Sequence, residues 1–471
     1  MTAHFSDTKG FIIGAASSGA GKTTAAAAIC MILKNRGLAV QPFKIGPDFI
    51  DPTYLTAASG RQCRNLDGFP RPDLMPFFYA DSCRSGPPAD IAVVEGVMGL
   101  YDGLGADGAY STAWLAHALG LPVILLVDAR AAATSVAATA LGFASLKPLA
   151  PRIAGVIANR ASGERHAELI GEALGRFAGI PLIGWMPNVS ENSFPSRHLG
   201  LVPAAERSDS AGAIENFANA LSAHLDVERL ISIASKPSGA YAEPTVGPPV
   251  AKSDGAPVRV AIADDGAFCF HYRDNWDLLA RLGAETAAVS PMSDDALPHG
   301  TDLLILPGGY PEEFSHALSS NERFMRSVAD FSRSGCIYAE CGGMLYLSRG
   351  IEYRGEFRGM AGIIPAGVKM TGRLSRFGYV EATANKDNLL MRAGETMRAH
   401  EFHYSRMGPE GDAFCVRKAS RPDESWADGY VAEGGRLLAT YLHANFHAHA
   451  LFARRMLCRA AAVSSARRLS P

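Results

Sequence analysis

Gly14-Ala15-Ala16-Ser17-Ser18-Gly19-Ala20-Gly21-Lys22-Thr23-Thr24 lies between the apolar run Phe11-Ile12-Ile13 and the stretch Ala25 to Leu33, which reads as a helix. A glycine-rich turn from strand to helix offers successive backbone N–H groups to an anion at the helix N-terminus. Lys22 then reaches the outer phosphates of a nucleotide, and the Thr23 hydroxyl faces magnesium. Gly19, Ala20, Gly21, Lys22, Thr23 and Thr24 are therefore the candidate ATP-binding residues. The usual pattern has a glycine five residues before the Gly-Lys pair; here that position is Ala16, and Gly14 stands two residues earlier. A plain glycine-rich strand-to-helix turn is the structural alternative.

Beyond the loop helix, a strand ending in Phe43-Lys44-Ile45 leads into Gly46-Pro47-Asp48-Phe49-Ile50-Asp51-Pro52-Thr53-Tyr54. Asp48 and Asp51, in a loop one β-α unit after the phosphate loop, suit magnesium or a reacting group; capping of the next helix is the alternative. The strand Asp90 to Val94 runs into Glu95. Ligands of open α/β sheets bind at the carboxyl ends of strands, so Glu95 is placed to hold or orient a metal beside the phosphates. Further strands at Pro122 to Val127, Ile153 to Ala158 and Leu182 to Pro187 alternate with helices at Thr112 to Leu119 and Ala167 to Phe177. That alternation predicts a mostly parallel sheet. His198, beside Arg197, has the ordinary reading of a hydrogen-bonded structural histidine.

A chain of 471 residues, 48% hydrophobic and 20% charged, has the composition of a globular protein of two domains. With 45 basic and 47 acidic residues its net charge is −2, which excludes a nucleic-acid coat and a polybasic membrane anchor. Apolar runs such as Val123 to Val127 are too short to span a bilayer, and the N-terminus lacks a signal-peptide layout. A cytoplasmic location is expected. The eight cysteines include no C-x-x-C pair, which fits a reducing compartment.

Composition changes at Lys236 to Pro257, rich in proline and glycine, and the α/β pattern then starts again. The predicted organisation is residues 1–235, a linker at 236–257, and residues 258–471. In the second domain a strand at Val258 to Ala263 and a helix at Trp276 to Leu282 precede the strand Asp302 to Leu306, which enters Pro307-Gly308-Gly309-Tyr310. The stretch Gly335-Cys336-Ile337-Tyr338-Ala339-Glu340-Cys341-Gly342-Gly343-Met344 mounts Cys341 on a sharp strand-to-helix turn. There the helix N-terminus is expected to lower the thiol pKa, with the Gly342 N–H facing a developing oxyanion. Gly309 and Tyr310 complete the expected oxyanion hole, and Cys336 reads as buried and inert. The thiol needs a base, and His443, at the end of the strand that begins at Leu437, is the candidate.

These motifs together are similar to those of the corrinoid a,c-diamide synthases, the family that makes cobyrinate or hydrogenobyrinate a,c-diamide. The resemblance is carried by Ala16 to Thr24, Phe43 to Pro52, Asn65-Leu66-Asp67, Glu95 to Gly103, Phe268-Cys269-Phe270, Pro307 to Glu312, Cys341-Gly342-Gly343 and His400 to Ser405. It implies two doubly wound α/β domains. The first is a dethiobiotin-synthetase-like P-loop ATPase and the second a flavodoxin-like class I glutamine amidotransferase of the cobyric acid synthase type. It also implies that L-glutamine is hydrolysed at Cys341 through a thioester, with His443 taking the thiol proton. ATP, with Mg2+, then phosphorylates the a and c acetate carboxylates of a corrin polycarboxylate, and ammonia displaces the phosphate.

Carried over by residue, the resemblance puts Lys22 and Thr23 on ATP and magnesium, Asp48 and Glu95 near the metal, and Asp48, Asp51, Tyr54 and Asp102 near the corrin carboxylates. Arg64, Arg130, Arg160 and Arg197 are loop cations suited to a polycarboxylate, and a homodimer is the assembly carried as an expectation. Two positions depart from the pattern: Asn445 stands where the class I triad has its glutamate, and Trp114 where the family has a small or acidic residue. Alternatives within the class are cobyric acid synthase and nickel-sirohydrochlorin a,c-diamide synthase. A partition-type ATPase switch with an inactive amidotransferase domain is the alternative outside it. Metal-free and cobalt-containing corrins stay equally open as substrates.

Overall fold

The apolar runs of the first half pair edge to edge in the computed structural model, which describes residues 4, 6–187, 196–197, 200–201 and 209–469. Strands β1 (Lys9–Ala15), β2 (Val40–Ile45), β3 (Arg64–Leu66), β4 (Ile91–Glu95), β5 (Val123–Asp128), β6 (Ile153–Ala161) and β7 (Leu182–Pro187) form one sheet in the order β3-β2-β4-β1-β5-β6-β7. Every pairing in it is parallel. Such strands are buried on both faces, which is why they read as continuous apolar runs. In β1, Phe11, Ile12 and Ile13 are all fully buried.

The connecting helices are α1 (Lys22–Asn35), α2 (Asp51–Ser59), α3 (Met75–Arg84), α4 (Thr112–Leu119), α5 (Ser135–Ser145) and α6 (Glu164–Ala173), followed by α7 (Ser210–Ser222) and α8 (Val227–Ile233). Ala25, Ile29 and Leu33 of α1 join Phe11, Ile13 and Ile124 of the sheet and Phe217 and Leu221 of α7 in one core. Helix α1 starts at Lys22 rather than Ala25, because the phosphate loop itself winds into its first turn. Residues Ser196–Arg197 and Gly200–Leu201 form a two-strand ladder, β8 and β9. The side chain of Arg197, and His198 altogether, lie outside the described residues.

The chain divides into the units Met1–Pro244 and Thr245–Pro471. That break falls inside the stretch expected to be linker, and each half of the stretch is tied to its own unit. Tyr241 bridges to His4 in the first, while the Lys252 ammonium lies 2.9 Å from the Asp302 carboxylate in the second.

In the second unit β10 (Arg259–Ala263), β11 (Glu285–Val289), β12 (Leu303–Leu306) and β13 (Cys336–Glu340) begin a second sheet, with α9 (Arg273–Arg281), α10 (Ser315–Ser320) and α11 (Glu322–Ser332) between them. Helix α12 (Gly342–Leu347) follows β13 directly. Between it and the return of the chain to this sheet come β14 (Gly350–Tyr353), β15 (Glu356–Gly359), β16 (Gly367–Met370), β17 (Arg376–Ala384), β18 (Thr396–His403), β19 (Ser405–Gly408), β20 (Phe414–Lys418) and β21 (Arg421–Asp428). Strands β22 (Tyr430–Ala432), β23 (Leu437–Thr440) and β24 (Leu442–His443) then lead to the terminal helix α13 (Ala450–Leu469).

The main sheet has the order β11-β10-β12-β13-β23-β22, parallel except for β22. Its first five strands have the flavodoxin-like order. Two further sheets, β15-β14-β16-β19 and β21-β20-β17-β18-β24, were not legible in the sequence. Their members are short or half-exposed; β21, Arg-Pro-Asp-Glu-Ser-Trp-Ala-Asp, is exposed along most of its length and has no apolar run to announce it.

Candidate active site

The phosphate loop leaves the C-terminal end of β1, the loop of Asp48 and Asp51 leaves β2, and Glu95 ends β4. These strands are neighbours in the order β2-β4-β1, so parallel pairing alone gathers the three segments at one edge of the sheet. Gly21 has φ 95°, a left-handed conformation, and a Cβ there would lie 2.5 Å from Asn159 Nδ2. The Asn159 amide donates to Ala20 O at 2.8 Å, and Arg160 bonds both Asp128 (2.8 Å) and Gly19 O (3.3 Å), so the end of β6 holds the loop. The Lys22 ammonium bonds Ser17 O at 3.0 Å and also Met98 O. Burial, then the nearby Lys44 charge, lowers its pKa to about 8.

Lys44 is 3% exposed and its ammonium sits among three carboxylates: Asp51 at 2.6 Å, Glu95 at 2.8 Å and Asp48 at 3.9 Å. Burial alone would strip its proton, but Asp51 and Glu95 outweigh that and keep it charged. Lys44 in turn offsets the burial of Asp51 and holds that carboxyl below the usual range. Burial, then Asp51, raises Asp48 to about 6, and burial raises Glu95 to about 7. Sequence reasoning gave Lys44 no role, although a lysine inside the apolar run Phe43-Lys44-Ile45 was the available signal.

Asp48 caps as well as converges, its Oδ1 accepting the Ile50 and Asp51 N–H groups at 2.9 and 3.1 Å. The Thr23 hydroxyl donates to Glu95 Oε1 at 2.8 Å, whereas Glu95 Oε2 is buried without a hydrogen-bond partner. Among the described residues no group of three or more His, Cys, Asp or Glu forms a metal cage. Magnesium on a nucleotide needs none, since phosphates and water supply most of its ligands. The orphan Glu95 oxygen beside Thr23 fits that cation.

Several expected substrate contacts are placed differently. Tyr54 is fully buried in the core with α1 and is withdrawn as a substrate contact, because it presents no surface. Arg64 belongs to β3 and is buried, and Arg160 belongs to β6, so neither is a loop cation. Arg130 is exposed and paired with Asp128 at 2.8 Å. Asp102 is exposed, and its Oδ2 accepts the Gly99 N–H at 3.0 Å. Trp114 packs over Gly68, where a Cβ would lie 2.7 Å from the indole, and its ring centroid is 5.2 Å from that of Tyr110.

In the second unit Cys341 follows β13 with φ 43° and ψ −106°, a strained conformation for a non-glycine residue. Gly343 permits the turn: a Cβ there would overlap the Leu306 carbonyl of β12. The Cys341 N–H donates to Thr440 O at 2.7 Å, and His443 lies three residues further on in β24. The candidate nucleophile and its candidate base thus follow neighbouring strands, β13 and β23, at one sheet edge.

His443 is 1% exposed; burial, then His403, lowers it to about 3, so its ring is neutral. The expected lowering of the thiol pKa is overturned. Burial, then Glu312, pushes Cys341 well above the ordinary thiol range, and the Gly342 N–H opposes this without prevailing. A helix of six residues has too little dipole to offset full burial. Cys336 is buried and raised to about 11, the inert thiol expected.

The oxyanion hole also needs correction. The Tyr310 N–H is given to Ala267 O at 2.9 Å and is not available to a substrate. Gly309 and Gly342 remain as candidates, the Gly309 nitrogen lying 2.9 Å from where a Gly342 Cβ would stand. Glu340, to which sequence reasoning assigned no role, has Oε2 3.8 Å from His443 Nδ1, and burial raises it to about 7.

Residues 11–202 match the family model described as CobQ/CobB/MinD/ParA nucleotide binding domain, and residues 259–451 the one described as CobB/CobQ-like glutamine amidotransferase domain. The fold and the two sites therefore define a nucleotide-binding domain fused to a glutamine amidotransferase domain. A protein of Salmonella typhimurium named cobyrinate a,c-diamide synthase is 42% identical over 93% of this chain and 95% of its own length. Proteins of the same name from Syntrophotalea carbinolica and Listeria innocua are 42% and 40% identical, over 92% and 93% of this chain and 95% and 96% of their own. The chain belongs to the cobyrinate a,c-diamide synthase family.

Proposed function

We propose that this enzyme converts the a and c acetate carboxylates of cobyrinate, or of its metal-free counterpart, to amides, using ATP and the ammonia of glutamine. Similarity to synthases of that name across 93% of the chain, with both sets of candidate residues present, carries the reading.

In the amidotransferase unit Cys341 attacks the side-chain amide carbon of glutamine while its proton passes to His443. The tetrahedral oxyanion is held by the Gly309 and Gly342 N–H groups. The carbon–nitrogen bond then breaks, ammonia leaves with the proton from His443, and water hydrolyses the thioester to glutamate.

In the ATPase unit the loop N–H groups and Lys22 bind the phosphates. Magnesium, held by Thr23 and Glu95 with Asp48 nearby, would neutralise charge on the transferring phosphoryl group. The corrin carboxylate displaces ADP from the γ-phosphate, giving an acyl phosphate, because a free carboxylate has no leaving group for ammonia to displace. Ammonia attacks the acyl carbon and phosphate leaves. Asp48, 3.9 Å from the Lys44 ammonium, is the candidate acceptor of the proton that ammonia sheds, while Lys44 keeps Asp51 charged beside it. Asp51 and Asp102 face the acceptor side of this site.

Among the described residues no helix is long and apolar enough to cross a membrane, and all eight cysteines are free. Free cysteines suit a reducing compartment, and a cytoplasmic enzyme is the reading. The test is incubation with ATP, Mg2+, glutamine and either cobyrinate or hydrogenobyrinate, followed by mass spectrometry. Two carboxyl-to-amide conversions in one or both corrins are expected, and absence of amidated product from both ends the reading.

A further inference from the structure

We propose that Glu340, the residue immediately before the nucleophile, is the positioning residue for His443. It takes the place of the glutamate that the class I triad carries two residues after its histidine. The inference rests on the reading of Cys341 and His443 as the glutaminase pair. At the usual triad position stands Asn445, and it is turned into its own loop, its Oδ1 accepting the Ala448 N–H at 3.2 Å. The imidazole must therefore find its partner elsewhere.

Glu340 ends β13 opposite Thr440 of β23, so the sheet register brings it beside the segment that carries His443. One oxygen is clamped: Oε1 accepts the Tyr338 hydroxyl at 2.7 Å and the Ala444 N–H at 2.9 Å. Ala444 is the residue after His443, so the clamp fixes the carboxylate to the backbone that carries the ring. The other oxygen, Oε2, stands 3.8 Å from His443 Nδ1. That is within ion-pair reach and longer than a hydrogen bond, as expected of a contact that tightens once the ring gains a proton.

A regular strand would send neighbouring side chains to opposite faces, and the φ of 43° at Cys341 breaks that alternation. Adjacent residues of one chain segment are thereby enabled to serve the same imidazole. Two further titratable groups near His443 come from β18. His400 has its ring centroid 6.4 Å away, and His403 is bonded through Nε2 to Glu401 and through Nδ1 to Ser405 O, both at 2.8 Å. Neither histidine supplies a negative charge, and Glu401 is engaged by His403. Glu340 thus orients the ring through Nδ1, leaves Nε2 for the thiol proton, and stabilises the imidazolium formed when Cys341 gives that proton up.

The test is glutaminase kinetics of the full chain with Glu340→Gln, which keeps an oxygen for Tyr338 and Ala444 and removes the charge. kcat should fall roughly 10- to 100-fold with KM within about twofold, and the acidic limb of kcat/KM should move to lower pH, because the carboxyl group that must ionise to support the imidazolium is gone. Glu340→Asp should recover part of kcat and return the limb toward that of the unaltered enzyme. Unchanged kcat with an unmoved limb in E340Q overturns the proposal. So does a loss in which E340D is as inactive as E340Q while both variants keep the unaltered melting temperature. Should E340Q melt early, E340D decides alone: partial kcat with the limb near its parental pH supports the proposal, and an inactive variant with the unaltered melting temperature overturns it. His443→Ala separates the underlying reading: glutaminase surviving in that variant refutes the Cys341–His443 pair itself, whatever Glu340 does.

Discussion

Lys44 places a full positive charge where the sheet is otherwise apolar, and three carboxylates make that burial tolerable. Its removal leaves Asp51 and Glu95 as buried charges without their cation. Lys44→Met is expected to destabilise the first unit by about 3–5 kcal/mol and to abolish amide synthesis from either nitrogen source, while glutamate release at Cys341 continues. Denaturant unfolding and the two activity assays check this. Lys22 makes a pH prediction. Burial and Lys44 hold it near 8, so its charge is present below that pH and lost as pH rises through it. Apparent ATP affinity in ammonia-driven amidation should weaken above about pH 8, approaching tenfold per unit, and Lys22→Arg, which stays protonated, should flatten the profile.

At the scale of elements, the turn from β13 to α12 decides whether the thiol is presented at all. Helix α12 packs against β12 so closely that only a glycine fits at 343. Gly343→Ala should push the helix off the sheet at a cost of about 1–3 kcal/mol and remove glutaminase activity, with ammonia-driven amidation intact. Equal glutamate release by variant and parent would refute the close-packing argument. The same scale explains why the sequence read some elements well and others not. Strands β1, β4, β5 and β12 are buried on both faces and announce themselves as apolar runs. Strands β15 and β21 are largely exposed, held by pairing with neighbours rather than by their own composition.

Across the whole molecule the two chemistries belong to separate units with separate cores, residues 1–244 and 245–471. Cys341→Ala should therefore end the use of glutamine while leaving amidation from free ammonia, and loss of both in a folded variant would contradict the division. Residues 245–471 expressed alone should fold cooperatively and release glutamate from glutamine. The family, the order of the domains, the phosphate loop and the thiol turn were all legible, because each rests on a local run of residues with a local conformational demand. The proline-rich stretch was read as one linker, yet Tyr241 and Lys252 tie its halves to different units, which only contacts distant in sequence decide.

The sequence by itself determined the two α/β units, the nucleotide loop, and the thiol and imidazole, since spacing and backbone geometry are properties of short segments. Tertiary structure alone decided which charges meet. Lys44 joins Asp51 and Glu95 because β2 and β4 are neighbours, and Glu340 comes to His443 because β13 pairs with β23. It also raised the thiol pKa instead of lowering it, since burial is a sum over everything packed around the sulfur. Tyr54 went to the core and the Tyr310 N–H to Ala267 for the same reason: a residue's partners are set by the packing of segments far apart in the chain.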